Sequence, residues 1–280
     1  MSAVLSLREE PFFFGEGDER IFAFSHVPTT PARVTIVMCH AFAEEKLWSH
    51  RVYVTFAREM AQAGFNVLRF DMRGEGDSAL NFEQTSMETR IADTLRAVDV
   101  ARERFSSNLR VVLLGHRLGG TIAAVAQSRA QGRVDGVVVW DPILDGEDYF
   151  GQLLRSNLTT QMATQGKVTR TRDALIKAIL EGEAVVVDGY GLTAATYREM
   201  SALQWAKIPE LLNVPSLVLE VPKGEQTAPS APLAAMSSGR PQLQLALATE
   251  PPFWRETRQF HRRAAGFTQA TLEWLKGLTA

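Results

Sequence analysis

The chain is short of cysteine, of net charge and of long apolar runs, and each shortage excludes something. Cys39 is the only cysteine among 280 residues, so no intrachain disulfide forms and a multi-cysteine metal site is ruled out. Thirty basic side chains against thirty-two acidic ones leave a net charge of -2. Nucleic-acid and anionic-membrane binders show a basic excess or a clustered basic patch, so neither partner is expected. No apolar run approaches the ~20 residues that span a bilayer. The opening MSAVLSLREEPFFF has an apolar stretch too short for a signal core, and it meets Arg8, Glu9 and Glu10 at once. A cytoplasmic chain is the expectation. Repeats and low-complexity tracts are missing too.

What is there has a globular composition, 45% apolar, 22% charged and 9% aromatic. The length suits one large α/β domain or a core with an insert. Short apolar runs at 34–39, 66–70, 110–114 and 136–140 are nearly continuous, as in strands buried on both faces. Between them, Val52, Phe56, Met60 and Ala63 recur at helical spacing and stop at Gly64, which predicts a left-handed C-cap. Thr85 and Glu88 predict a capping box ahead of Ile91, Leu95, Val98 and Phe105. A third helix is expected over about 119–130. This alternation predicts an α/β fold, a mostly parallel sheet with helices on both faces. Phe12, Phe13 and Phe14 read as an edge strand.

The rhythm breaks over 142–210, which reads as helices with a strand-like run at 184–188, a turn at 189–191 and a helix near 193–203. It resumes with strands at 216–221 and 242–248 and a last helix ending in 271–278. The expected organisation is a core of 1–141 and 211–280 with a mainly helical cap insert at 142–210. Such a cap would cover the strand C-termini, where open α/β sheets bind ligands. The proline-containing stretch 222–232 reads as surface.

The segment richest in chemistry is Val111-Val-Leu-Leu-Gly-His-Arg-Leu-Gly-Gly120. An apolar strand runs into Gly115-x-x-x-Gly119 and a small-residue helix start. That is the strand–turn–helix context of a nucleophile elbow, usually G-x-S-x-G. The central residue here is Arg117. With Cys39-His-Ala-Phe42, similar to an oxyanion-loop segment, and Phe70-Asp-Met-Arg-Gly-Glu-Gly-Asp-Ser78, similar to a D-x-R-G-x-G-x-S turn, the chain resembles the α/β-hydrolase superfamily over nearly its whole length. More narrowly, His40-Ala-Phe-Ala-Glu-Glu45, the arginine-bearing elbow and Trp140-Asp-Pro142 resemble the exosortase A system-associated hydrolases. In that bacterial group an arginine also stands at the elbow. The resemblance implies gene neighbourhoods for protein sorting and exopolysaccharide production, and with them an anionic or carbohydrate-linked substrate.

A serine-type triad does not assemble from these residues. The superfamily order is nucleophile, acid, histidine. Only His261 follows the elbow, and the loop 248–254 after the last strand has no histidine. His261 is expected about two turns into the final helix among Arg258, Arg262 and Arg263, a solvated helix-face residue rather than a base. The aspartate expected after strand 216–221 is absent, which leaves Glu225 and Asp141 as the acid positions on offer. A guanidinium stays protonated and attacks no carbonyl. Cys39 and His40 are adjacent on a strand end and point to opposite faces, which favours a structural thiol. His40, Glu44 and Glu45 lack metal-ligand spacing, so neither metal nor cofactor is predicted. Asp71, Arg73 and Asp77 read as turn-shaping residues, while Trp48 and Trp205 line the cap or pack beneath it.

Two readings of Arg117 stay open. It forms an internal ion pair with Asp141 or Glu45, or it recognises a carboxylate or phosphate beside free backbone N–H groups. Arg117, Asp141 and Glu45 are the candidate catalytic residues. His40, Phe42, Glu44, His116 and Leu118 are the expected substrate-binding set, with Phe42 and Leu118 offering backbone N–H groups as oxyanion donors. Three functions follow: an atypical hydrolase-like enzyme in which Glu45 or Asp141 handles water, a non-catalytic binder of a small anionic molecule, or a scaffold with a closed pocket. The sequence assigns no oligomeric state.

Overall fold

The computed structural model describes residues 7–208, 211–256 and 259–279. Expectations about residues 1–6, about Arg258 and about the cap boundary at 209–210 lie outside the described residues. β1 (Arg8–Phe14), β2 (Ile21–Val27), β3 (Val34–Cys39), α1 (Glu44–Gln62), β4 (Asn66–Phe70), α2 (Met87–Phe105), β5 (Arg110–His116), α3 (Leu118–Arg129) and β6 (Gly136–Trp140) come first. After them come α4 (Gly146–Gln165), α5 (Arg172–Leu180), β7 (Val185–Val187), β8 (Tyr190–Leu192) and α6 (Ala194–Ala202). The chain ends with β9 (Ser216–Glu220), α7 (Ala231–Ser237), β10 (Leu243–Leu247) and α8 (Ala265–Thr279). Among the described residues no helix is long and apolar enough to cross a membrane.

Eight strands form one sheet in the order β1-β2-β4-β3-β5-β6-β9-β10. β1 pairs antiparallel with β2 and β2 with β4, while β4, β3, β5, β6, β9 and β10 run parallel; β7 and β8 form a separate antiparallel pair. The phenylalanines of β1 stand on the sheet edge, as expected. Apart from the edge strand β10 the parallel strands are almost wholly buried on both faces, and their alternation sorts the side chains into two layers. Val37, Cys39, Leu113, Val137 and Val139 pack against α2 and α3. Ile36, Met38, Val112, Leu114, Val138 and Trp140 pack against α1 and α8. Register aligns the strand ends: Cys39 lies opposite Gly115, His116 opposite Trp140, and Trp140 opposite Leu219. Their C-terminal ends therefore share one edge, and the helical segment between β6 and β9 caps it. Trp205 is packed in that cap, its indole N–H donating to Thr121 Oγ1 at 3.0 Å.

Several local expectations are corrected. The capping box that opens α2 is Ser86 with Thr89, one residue later than Thr85 with Glu88. Thr85 instead donates its hydroxyl to the Phe82 carbonyl of the preceding turn, and Glu88 is drawn to Arg129. Tyr190 and Gly191 belong to β8, because the tight turn falls on Asp188 and Gly189, both at positive φ. His261 precedes α8, which starts only at Ala265. Glu250 supplies the reason, accepting from the Phe267 N–H and so binding the free amides of the helix start.

Candidate functional site

The turn between β5 and α3 carries Arg117 at φ 55 and ψ -127, a region a non-glycine residue enters at a cost of about 1–3 kcal/mol. The neighbouring glycines make it possible. A Cβ on Gly119 would collide with the His40 carbonyl oxygen, and one on Gly115 with the Gly119 carbonyl, so only glycine lets α3 start this close to β3. The Arg117 N–H donates to the Trp140 carbonyl at 2.9 Å, which fixes the turn to the next strand. Ala43, just before α1, has nearly the same backbone conformation, φ 50 and ψ -128.

The Arg117 side chain rises into the layer between sheet and cap with 8% of the residue exposed. Its Nη1 donates to Asp141 Oδ2 at 2.9 Å, and its Nε to Glu45 Oε1 at 3.3 Å. Glu45 also accepts from the Tyr149 hydroxyl at 3.0 Å, and Asp141 from the Val221 N–H at 3.3 Å. The expected ion pair is thus a triad with both carboxylates engaged at once. Burial opposes the guanidinium charge, but Glu45 and Asp141 outweigh it and hold the arginine protonated. Burial pushes the Glu45 carboxyl above the usual range, against the pull of Arg117 and Tyr149. The guanidinium also lies 5.8 Å from the Tyr149 ring centre and 5.5 Å from that of Trp254. Among the described residues nothing accepts from Nη2.

Arg117 lines two cavities. One, of about 290 Å³, lies on the Glu45 side with Phe42, Glu44, Trp48 and Tyr190. The other, of about 600 Å³, lies on the Asp141 side with Glu220, Lys223 and Glu250. Arg117, Tyr149, Gln152, Trp254 and Arg255 border both. Of the two expected N–H donors, Phe42 lines the Glu45-side cavity, whereas Leu118 is buried and lines neither. Among the same residues no His, Cys, Asp and Glu group is arranged to hold a metal ion.

The two expected histidine contacts are not made. His116 follows Val112 and Leu114 on the α1/α8 side of β5, where Phe253, Trp254 and Phe267 enclose its ring. It is 0% exposed, and neither ring nitrogen has a partner. His40 continues the matching row on β3 and stacks on Tyr53, ring centres 4.8 Å apart. Neither lines a cavity around Arg117. Burial drives both imidazoles well below their usual pKa, so both are neutral. Cys39 points the other way, its sulfur 3.7 Å from Thr94 Oγ1, and burial raises the thiol to about 12. Glu225 is exposed and borders neither cavity, whereas Glu220, the last residue of β9, is buried and does. Tyr149, Trp254 and Glu220 went unread in the sequence. The loop 248–254 carries no periodic signal that marks Trp254 as a site residue.

The family model Hydrolase_4, described as serine aminopeptidase, S33, matches residues 30–200. The chain belongs to this α/β-hydrolase family. A monoacylglycerol lipase of Mycolicibacterium smegmatis (strain ATCC 700084 / mc(2)155) is 30% identical over 152 residues, 54% of this chain and 52% of that protein. The match thus spans about half the relative's length. Two solved structures share the fold. Est1E from Butyrivibrio proteoclasticus has a TM-score of 0.64 at 16% identity, covering 96% of this chain and 99% of its own. A lipase in an open form has a TM-score of 0.64 at 17% identity, covering 98% and 99%.

Proposed function

We propose that this hydrolase-family protein captures a small molecule through Arg117, which stands where the family's attacking hydroxyl is carried. The observation that carries the reading is the guanidinium itself, pinned by Glu45 and Asp141 while Nη2 is left over beside two cavities. A pinned, planar donor suits an acceptor oxygen of the ligand, a carboxylate, phosphate or carbonyl. The narrower resemblance to exosortase A system-associated hydrolases favours an anionic or carbohydrate-linked ligand. We take 142–210 as the cap over this site and 1–141 with 211–280 as the core, a division supported by the element order. A scaffold with a closed pocket is disfavoured by cavities of about 290 and 600 Å³, since small-molecule sites start near ~300 Å³.

One observation favours turnover as a second reading. Glu45, with its carboxyl raised by burial, lines the same cavity as Phe42 and is suited to exchanging a proton with water there. Turnover of aryl esters, thioesters, phosphoesters and a monoacylglycerol by wild type and Glu45→Gln separates the two. Capture predicts no turnover in either protein. Activity in wild type that collapses in Glu45→Gln replaces capture with carboxylate-assisted hydrolysis.

A further inference from the structure

The cavity on the Glu45 side has a lining that Arg117, which lies over the rings of Tyr149 and Trp254, explains only in part. Five aromatic side chains border it: Phe42, Trp48, Tyr149, Tyr190 and Trp254. Two of them donate to carboxylates of the same lining, Trp48 Nε1 to Glu44 Oε1 at 3.2 Å and the Tyr149 hydroxyl to Glu45 Oε2 at 3.0 Å. Such donation fixes each ring and makes its face more electron-rich. The carboxylates come from separate elements. Glu44 and Glu45 stand on the first turn of α1, Asp188 on the β7–β8 turn and Glu256 on the stretch before α8. Among the described residues of the lining only Arg117 and Arg255 stand against these four carboxylates, and Arg117 is already matched by Glu45 and Asp141. Burial raises the Glu44 carboxyl, and the nearby carboxylates of Asp188 and Glu256 raise it further, so like charges are crowded here. Aromatic faces together with surplus carboxylates stabilise a weakly hydrated organic cation through cation–π and Coulomb attraction.

We propose that this cavity is a cage for an alkylated ammonium group, so that the ligand carries such a cation at one end and an acceptor oxygen at the other. The second half of that statement rests on the capture reading of Arg117; the cage itself does not. Choline and its uncharged isostere 3,3-dimethylbutan-1-ol, titrated calorimetrically into the full-length protein, test the cage, and benzoate tests Arg117. The cage predicts saturable choline binding at least about tenfold tighter than the alcohol. Trp48→Leu and Asp188→Asn should each weaken choline severalfold, and Asp188→Asn, at an exposed turn, guards against a Trp48→Leu chain that fails to fold. Equal affinity for the alcohol, or no saturable choline binding, overturns the cage. Choline without benzoate overturns the Arg117 reading and keeps the cage; benzoate without choline does the reverse.

Discussion

Arg117 is expensive to hold where it is. Its backbone sits at positive φ, its side chain is buried, and two carboxylates are needed to keep it charged. At ~4 Å and an effective dielectric near 20, each pair attracts by ~4 kcal/mol before desolvation. Removing the cation strands two buried anions, so Arg117→Met should cost about 3 kcal/mol of stability by urea unfolding. Adding Glu45→Gln and Asp141→Asn should recover most of that loss. A single variant as stable as wild type would show that the triad is not coupled. The triad was legible because an elbow with the wrong residue draws attention to whatever carboxylates lie near it. Tyr149 and Trp254 were not legible, since the cap and the last loop follow no periodic pattern that announces which side chains turn inward. The misassigned histidines are more instructive. His40 and His116 extend the period-two rows Ile36–Met38 and Val112–Leu114, so strand alternation turns them toward the α1/α8 layer and away from the site.

At the scale of elements, glycine separates packing from propensity. Gly119 and Gly277 are both helical, yet a Cβ on Gly119 meets the His40 and Cys39 carbonyls while one on Gly277 meets nothing. Gly119→Ala should therefore lower stability by about 3 kcal/mol, and Gly277→Ala should raise it by about 0.5–1 kcal/mol. Thermal melts of the two variants check both signs, and a harmless Gly119→Ala would mean α3 can retreat from β3. The parallel strands were read from sequence because full burial leaves an unbroken apolar run. Helix starts were read less well. Thr85 and Ser86 are both capping types, and only the chain path through the Phe82–Gln84 turn decides between them. The same holds for His261, which the apolar pattern placed in α8 although Glu250 fixes the helix start beyond it.

Across the whole molecule, buried neutral histidines link stability to pH. Desolvation holds His40 and His116 well below 6.5, and His26 at about 4, where burial outweighs the opposing Glu9. The unfolded chain binds these protons first, so stability is full above about pH 6.5 and is lost as pH falls below it. Each histidine contributes up to about 1.4 kcal/mol per pH unit until its folded pKa is reached. His116→Phe should remove one proton's share of this slope. It should also add about 1 kcal/mol at pH 7, because two unpartnered nitrogens leave the aromatic core. Urea midpoints at pH 8 and pH 5 report both effects, and an unchanged slope would mean that His116 finds a partner in solution.

The central claim, that Arg117 holds an acceptor group of a ligand, is tested most directly by titrating benzoate and phenyl phosphate calorimetrically into two proteins. One is wild type; the other is Arg117→Met combined with Glu45→Gln and Asp141→Asn, which leaves no stranded charge. Capture predicts saturable binding to wild type that weakens with salt and falls at least about tenfold in the variant. Equal affinity in both proteins would contradict it.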